Sequence, residues 1–137
     1  MHLRMVASLL VLLGLLLGGC AAFNPPEKQH REALDDFIYA LRWQLYPEAA
    51  AFFVPAHGEP FLAQMEKLTD LNVTEVRQKR LEVRDEGLRV DTLLEMDYYI
   101  LPSTTLKTLR INQTWRYFAP GTTAGGFLIT TPFPAFP

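Results

Sequence analysis

Cys20 is the only cysteine in the 137-residue chain, and its position is what gives it chemistry. It follows Leu15-Leu16-Leu17-Gly18-Gly19, at the close of an uncharged run that begins at Met5. A thiol placed directly after two glycines can carry a thioether-linked diacylglycerol. The small residues let a peptidase hold the chain extended, where bulky side chains would clash. The flanks agree with this reading. Met1-His2-Leu3-Arg4 is a short, positively charged start, and about a dozen mostly aliphatic residues follow, as in a secretory signal peptide. A lone cysteine also leaves an exported chain with no internal disulfide, so stability must come from the core.

Leu17-Gly18-Gly19-Cys20 resembles the lipobox of bacterial lipoproteins. The resemblance implies cleavage before Cys20 and acylation of both its thiol and the new amino terminus, with palmitate among the acyl groups. Several chains anchor a protein firmly, whereas one holds it only marginally. Residues 1–19 would then be the leader, 20–26 a lipidated tether and 27–137 a single domain close to the membrane surface. Ala21 stands where the family's sorting rule would need Asp for inner-membrane retention, which implies the periplasmic face of the outer membrane. Two plainer readings use the same residues. Met5 to Phe23 could be an uncleaved transmembrane anchor, since about 18 apolar residues suffice to span, or Cys20 could be incidental in a soluble secreted protein.

Thirteen basic residues stand against fifteen acidic ones, a formal net charge of −2. That balance argues against nucleic acid as a partner, since such binders show a strongly basic face. No phosphate-cradling glycine loop, Gly-x-Ser-x-Gly or Cys–His pair occurs. His30 sits at a helix start and His57 in the Pro55–Gly58 loop. Neither has a second ligand at metal spacing, so neither metal nor cofactor is expected.

The elements that position these groups can be read from periodicity. Asn24-Pro25-Pro26-Glu27 looks like a capped helix start with proline in the first turn. Leu34, Phe37, Ile38, Leu41 and Leu45 then recur at helical spacing and form one apolar stripe. That stripe carries no Asp, His or Tyr. Trp43 falls opposite it, beside Tyr39 and Asp36. It either packs under a later helix or stands out, with Tyr39, as a contact for a partner. Pro47 ends the first helix and opens a second, Glu48 to about Phe53. Pro55 and Gly58 break the chain, and a third helix is expected from Glu59 or Pro60 to Leu68.

The second half alternates instead. Leu88, Val90, Thr92, Leu94, Met96, Tyr98 and Ile100 share one face of a strand, with Arg89, Asp91, Glu95 and Asp97 on the other. Asp85-Glu86-Gly87 supplies the turn before it and Leu101-Pro102-Ser103-Thr104 the turn after. Pairing with the strand from Thr105 to Phe118 sets Met96 opposite Leu109, Leu94 opposite Ile111, Val90 opposite Trp115 and Leu88 opposite Tyr117. The other face sets Glu95 against Arg110 and Asp97 against Thr108. A slip of one residue would scramble both faces, so the register is well specified. In the preceding strand Leu81 and Val83 cannot be in phase with Val76, and a β-bulge between Arg77 and Arg80 is expected to restore Val76 to the core side. A last strand, Phe127 to Thr131, is stopped by Pro132-Phe133-Pro134.

These elements make an α+β domain of three N-terminal helices on a curved antiparallel sheet of about four strands. The order resembles the nuclear transport factor 2-like, or SnoaL-like, cone fold from about Glu27 to Phe133. It rests on element order and on Trp43 to Phe53 and Ile111 to Tyr117 rather than on a sharp motif. The resemblance implies a cavity at the wide end, in a superfamily of enzymes, ligand binders and dimerising or scaffold domains, so fold alone does not choose a role. On the apolar face only Thr92 and Gln113 are polar, with Trp115 and Tyr98 as neighbours. Thr92 and Gln113 either satisfy one another by a hydrogen bond or, with Trp115 and Tyr98, line a small pocket. Arg77, Lys79, Arg80, Arg84 and Arg89 could touch anionic headgroups or simply form a solvated face. The function expected is a membrane-anchored, non-enzymatic binding or interaction module of the envelope, with an envelope protein or a small apolar ligand as partner. A pocket enzyme of the isomerase or dehydratase type, and a structural component that forms a homodimer through its sheet, are the alternatives.

Overall fold

The computed structural model describes residues 24–121 and 125–137. The leader, Cys20 and most of the tether lie outside the described residues. Among the described residues three helices precede a four-stranded antiparallel sheet: α1 is Pro26–Arg42, α2 Tyr46–Ala50 and α3 Pro55–Glu66. The strands are β1 Leu71–Arg84, β2 Arg89–Ile100, β3 Lys107–Phe118 and β4 Gly126–Ile129, in the order β1-β2-β3-β4. Among the described residues no helix is long and apolar enough to cross a membrane.

The β2–β3 register is the one alternation predicts. Met96 faces Leu109, Leu94 faces Ile111 and Val90 faces Trp115, while Glu95 faces Arg110 and Asp97 faces Thr108. The Tyr117 amide donates to the Leu88 carbonyl at 2.9 Å, yet the Leu88 side chain is exposed. Gly87 takes φ +90° in the tight turn and follows Asp85 and Glu86, themselves at positive φ. β1 carries the expected irregularity between Gln78 and Arg80 and a second between Val73 and Glu75. The first returns Val76, opposite Met96, to the core side. Extra residues of this kind raise local twist and bend a strand.

The core lies between the helices and the inner face of the sheet. Leu34, Phe37, Leu41, Phe53, Phe61, Met65, Leu94, Met96, Tyr98, Ile111, Trp115 and Ile129 are all buried. The chain after β4 folds back rather than trailing away. Phe133 packs edge-on to Phe61 at 4.9 Å, and Phe136 to Tyr98 at 5.0 Å.

Several expectations change at the helix ends. Asn24 does not cap α1 with its side chain; Pro25 is the capping residue, and the Asn24 carbonyl accepts from Gln29 Nε2 at 2.7 Å. The helix stops at Arg42, not beyond Leu45, because Gln44 takes φ +58°. Leu45 therefore leaves the stripe and is 38% exposed. The compensation is tertiary. Gln44 Nε2 donates to the Leu71 carbonyl at 2.9 Å, and its Oε1 accepts from the Val73 amide at 3.2 Å. With Arg42 donating to the Val73 carbonyl at 2.9 Å, these side chains occupy the free edge of β1. An unprotected edge would invite another strand.

The third helix begins at Pro55, four residues earlier than expected, and runs through Gly58 and Pro60. Pro55 suits the first turn, where no helical partner for an N–H exists. Gly58 is there for space: a Cβ would sit 2.8 Å from the Ala50 carbonyl oxygen. Backbone cannot step aside as a flexible side chain would. Gly58→Ala is expected to lose about 1–2 kcal/mol in urea unfolding, since overpacking outweighs the roughly 1 kcal/mol of helix propensity it gains.

Candidate functional site

The α1 stripe begins one turn earlier than the sequence reading placed it. His30, Leu34, Phe37 and Leu41 follow one another at spacings of four, three and four residues, and all four are buried. His30 is 3% exposed, so the expectation of a stripe without histidine is overturned. Its ring meets Trp115 edge-on at 5.3 Å and Phe127 at 5.2 Å. Nε2 is buried without a hydrogen-bond partner. Burial removes the imidazolium from water and lowers the pKa to about 4, so the ring is neutral near pH 7.

His30 also forms part of the wall of a cavity of about 280 Å³. Glu27, Arg31, Leu34 and Asp35 of α1 make one side, and Gln78, Leu81, Val83, Gly87 and Val90 of the β1–β2 hairpin make the other. The bulge between Gln78 and Arg80 matters here. It sets Leu81 opposite Thr92 and Val83 opposite Val90, which gives the hairpin an apolar lining on the face shared with α1. Leu81 and Val83 nevertheless stay 38% and 53% exposed across the cavity from α1.

Behind His30 lies the polar group that alternation picked out. Thr92 Oγ1 donates to Gln113 Oε1 at 3.3 Å, and Trp115 Nε1 donates to both oxygens at 3.3 Å. Thr92, Gln113 and Trp115 thus form one buried cluster, joined through the indole ring to His30. Gln113 Nε2 is left without a partner. None of the three is among the residues lining the His30 cavity, although Thr92 and Gln113 border a shallow groove on the other side of the sheet. Tyr98 belongs elsewhere. It packs on Phe136 with its hydroxyl unpartnered, and burial raises its pKa.

Tyr39 and Trp43 stand at the opposite end of α1, 59% and 58% exposed. Packing of Trp43 beneath α2 or α3 is therefore excluded. The helix has already ended, so Trp43 turns away from them. Its ring lies 6.3 Å from that of Tyr39 and 4.9 Å below the Arg42 guanidinium. That guanidinium is itself fixed to β1 by the bond to the Val73 carbonyl.

The outer face of the sheet is an ion-pair lattice. Arg77 binds both Asp97 oxygens and also Glu75, with Glu95 at 3.5 Å, and Thr108 donates to Asp97 at 2.6 Å. The Arg77 bonds, then Thr108, hold the Asp97 carboxyl below its ordinary range. Arg84 and Arg89 hold Asp91, Lys79 reaches Glu95, and Arg80 and Arg84 reach Glu82. For Asp91, burial pushes the pKa upward, but Thr114, Arg89 and Arg84 outweigh it and the net shift is downward. Glu95, expected opposite Arg110, and its face-mates Asp91 and Asp97 are thus held by cations of β1 and β2. Within this lattice five cations meet five acids, while Arg110 and Arg116 of β3, exposed on the same face, add two further positive charges.

His57, assigned to a loop, lies inside α3. Among the described residues no three His, Cys, Asp or Glu side chains gather as a metal site would require. Compared with models of known protein families, the chain finds no match, and no curated protein matches it.

Proposed function

We propose that this protein is a lipid-anchored component of the bacterial envelope, held through Cys20 on the periplasmic face of the outer membrane. Its domain, similar to the nuclear transport factor 2-like cone, serves there as a non-enzymatic interaction module. The element order, the two bulges in β1 and the cavity between α1 and the hairpin support the cone resemblance. The exposed Tyr39–Trp43 pair carries the functional reading. A helix of 17 residues is about 25 Å long. The lipid would enter at its first residue, while the aromatic pair sits at its last, on the side available to a partner. Tryptophan and tyrosine dominate protein interfaces energetically. Here Arg42 holds Trp43 in place beforehand, which lowers the ordering cost of binding.

The test is recovery of partners from solubilised membranes with the lipidated protein, read by mass spectrometry. Substituting alanine for Tyr39 and Trp43 together should lower recovery of a bound envelope protein by about tenfold or more, equivalent to 1.4 kcal/mol. Trp43→Ala alone should leave stability within about 0.5 kcal/mol, as exposed substitutions do. Labelling with palmitate, lost in Cys20→Ala, tests the anchor separately. Unchanged recovery in the double variant would sink the module.

A buried histidine in a cavity wall favours one other reading, a pocket enzyme with His30 as its base. General bases work best with a pKa near the operating pH, and a value of about 4 makes a feeble one at pH 7. Turnover of a small carbonyl or hydroxy compound, abolished in His30→Ala, would put the enzyme in place of the module.

A further inference from the structure

We infer that the β1–β2 turn docks on the lipid surface, with Leu81, Val83 and Leu88 entering the headgroup layer of a zwitterionic phospholipid bilayer. This rests on the reading of Cys20 as the anchor and gives the domain a membrane-facing end. The exposed large apolar side chains are not scattered. Among the described residues, Leu81, Val83 and Leu88 group at the turn and the last residues of β1. The others, Tyr39, Trp43, Leu45, Leu101 and Leu106, lie at the opposite end, where α1 closes against Val73 and β2 runs out at Ile100. Apolar residues exposed singly need no explanation, but grouped ones mark a protein or membrane contact.

What covers the turn follows from the reach of the anchor. Glu27 and Arg31, in the first turns of α1, line the same cavity as Leu81, Val83 and Gly87, so helix start and hairpin turn are neighbours. From Cys20 to Pro26 the chain carries no charge and spans at most about 20 Å when extended. An acylated Cys20 lies at the bilayer surface, so the turn stands within reach of that surface. The Tyr39–Trp43 end is set apart from it by the length of α1. Charge decides which lipid. A polybasic end would seek anionic headgroups. Here the hairpin from Arg80 to Asp91 carries three arginines and four acids. The cavity rim adds Glu27 and Asp35 against Arg31, and Arg116 stands opposite Arg89, so the signs nearly balance. At the turn itself, Asp85 and Glu86 form no ion pair among the described residues. A zwitterionic headgroup offers those carboxylates an ammonium, which an anionic phosphoglycerol headgroup lacks.

Cys20 is the only cysteine and its thiol is taken up by the lipid, so a second cysteine can be labelled alone. The full lipidated chain, carrying Val83→Cys, Leu88→Cys or Leu106→Cys with a bimane fluorophore, is placed in vesicles of phosphatidylethanolamine and phosphatidylcholine. All three positions are exposed, and circular dichroism confirms that each variant keeps its fold. Phospholipid brominated high on its acyl chains quenches fluorophores that enter the interface. Emission at 83 and 88 should fall at least about twofold, and at 106, at the far end, by less than about a tenth. Exchanging half the lipid for phosphatidylglycerol should not deepen the quenching. No quenching at any position, or equal quenching at all three, would overturn the docking. Deeper quenching with phosphatidylglycerol would put the arginines in place of the apolar turn. A label at 83 shielded from aqueous iodide yet untouched by brominated lipid would mean that a second copy covers it, and would overturn the docking too. Flotation of the same vesicles keeps the two readings apart. Chains that float unquenched retain the anchor and lose the docking, whereas chains that fail to float lose both.

Discussion

Trp115→Ala is expected to cost about 4 kcal/mol in equilibrium urea unfolding followed by circular dichroism. The ring is fully buried and is the largest side chain in the core. It sits where the two layers meet, edge-on to Phe37 at 5.8 Å and His30 at 5.3 Å, and 6.3 Å from Phe52. Its strand neighbours are Val90 and Ile129. Alanine would open a cavity that β2 and β4 cannot close without breaking their ladder. It would also take the indole donor from Thr92 and Gln113, whose side chains are 4% exposed. Domains of this size hold about 5–15 kcal/mol in all, so the variant should be marginal. Trp115→Phe keeps most of the ring and isolates the hydrogen bonds, at about 1–2 kcal/mol. A loss under about 1 kcal/mol for Trp115→Ala would mean that this residue does not tie the layers together.

The contrast between the two tryptophans shows what periodicity can and cannot read. Trp115 lies on a strand whose partner alternates in step with it. A two-residue period reports the buried face directly, and the hairpin fixes which residue meets which. The bulge near Lys79 was legible for the same reason. Leu81 and Val83 were out of phase with Val76, and one extra residue is the smallest repair. Trp43 depended on where α1 ends. That end is set by Gln44, whose amide bonds to Leu71 and Val73 far along the chain, and no local pattern announces such a bond. Pro55 and Gly58 looked like helix breakers. Pro55 is a good first residue, and the space below Gly58 is needed by the Ala50 carbonyl, which only the packed structure reveals.

His30 was missed for a different reason. Its spacing of four residues before Leu34 was visible, but a histidine among charged residues at a helix start reads as solvent-facing. The outer face tells the same story in reverse. Opposition of Glu95 to Arg110 was correct as register, whereas the ion pairs run to Arg77 and Lys79 on the other neighbouring strand. Register decides which residues are neighbours. Reach and competition decide which neighbours bond, and a long guanidinium that finds two carboxylates outcompetes one that finds a single acid.

His30 should also make the domain acid-sensitive over a window of its own. In the unfolded chain it takes up a proton at its ordinary value of 6.5, and in the folded chain only at about 4. Between those limits the unfolded state binds more protons, so stability rises with pH through the window and falls on acidification. Above pH 6.5 both states carry neutral imidazole and the contribution is flat. At about 1.36 kcal/mol for each pH unit, the loss from pH 6.5 down to 4 is roughly 3 kcal/mol. Asp91 and Asp97 act lower. Their folded pKa values are depressed from 3.8, so their stabilisation is present above that value and drains away as pH falls beneath it. The two effects therefore separate along the pH axis. Urea midpoints between pH 7 and 4 should decline steeply in the wild type and much less in His30→Phe, which gives the same buried site to a ring that cannot titrate. If both proteins decline with the same slope, the imidazole takes up its proton as easily folded as unfolded, and it is not sealed between α1 and Trp115.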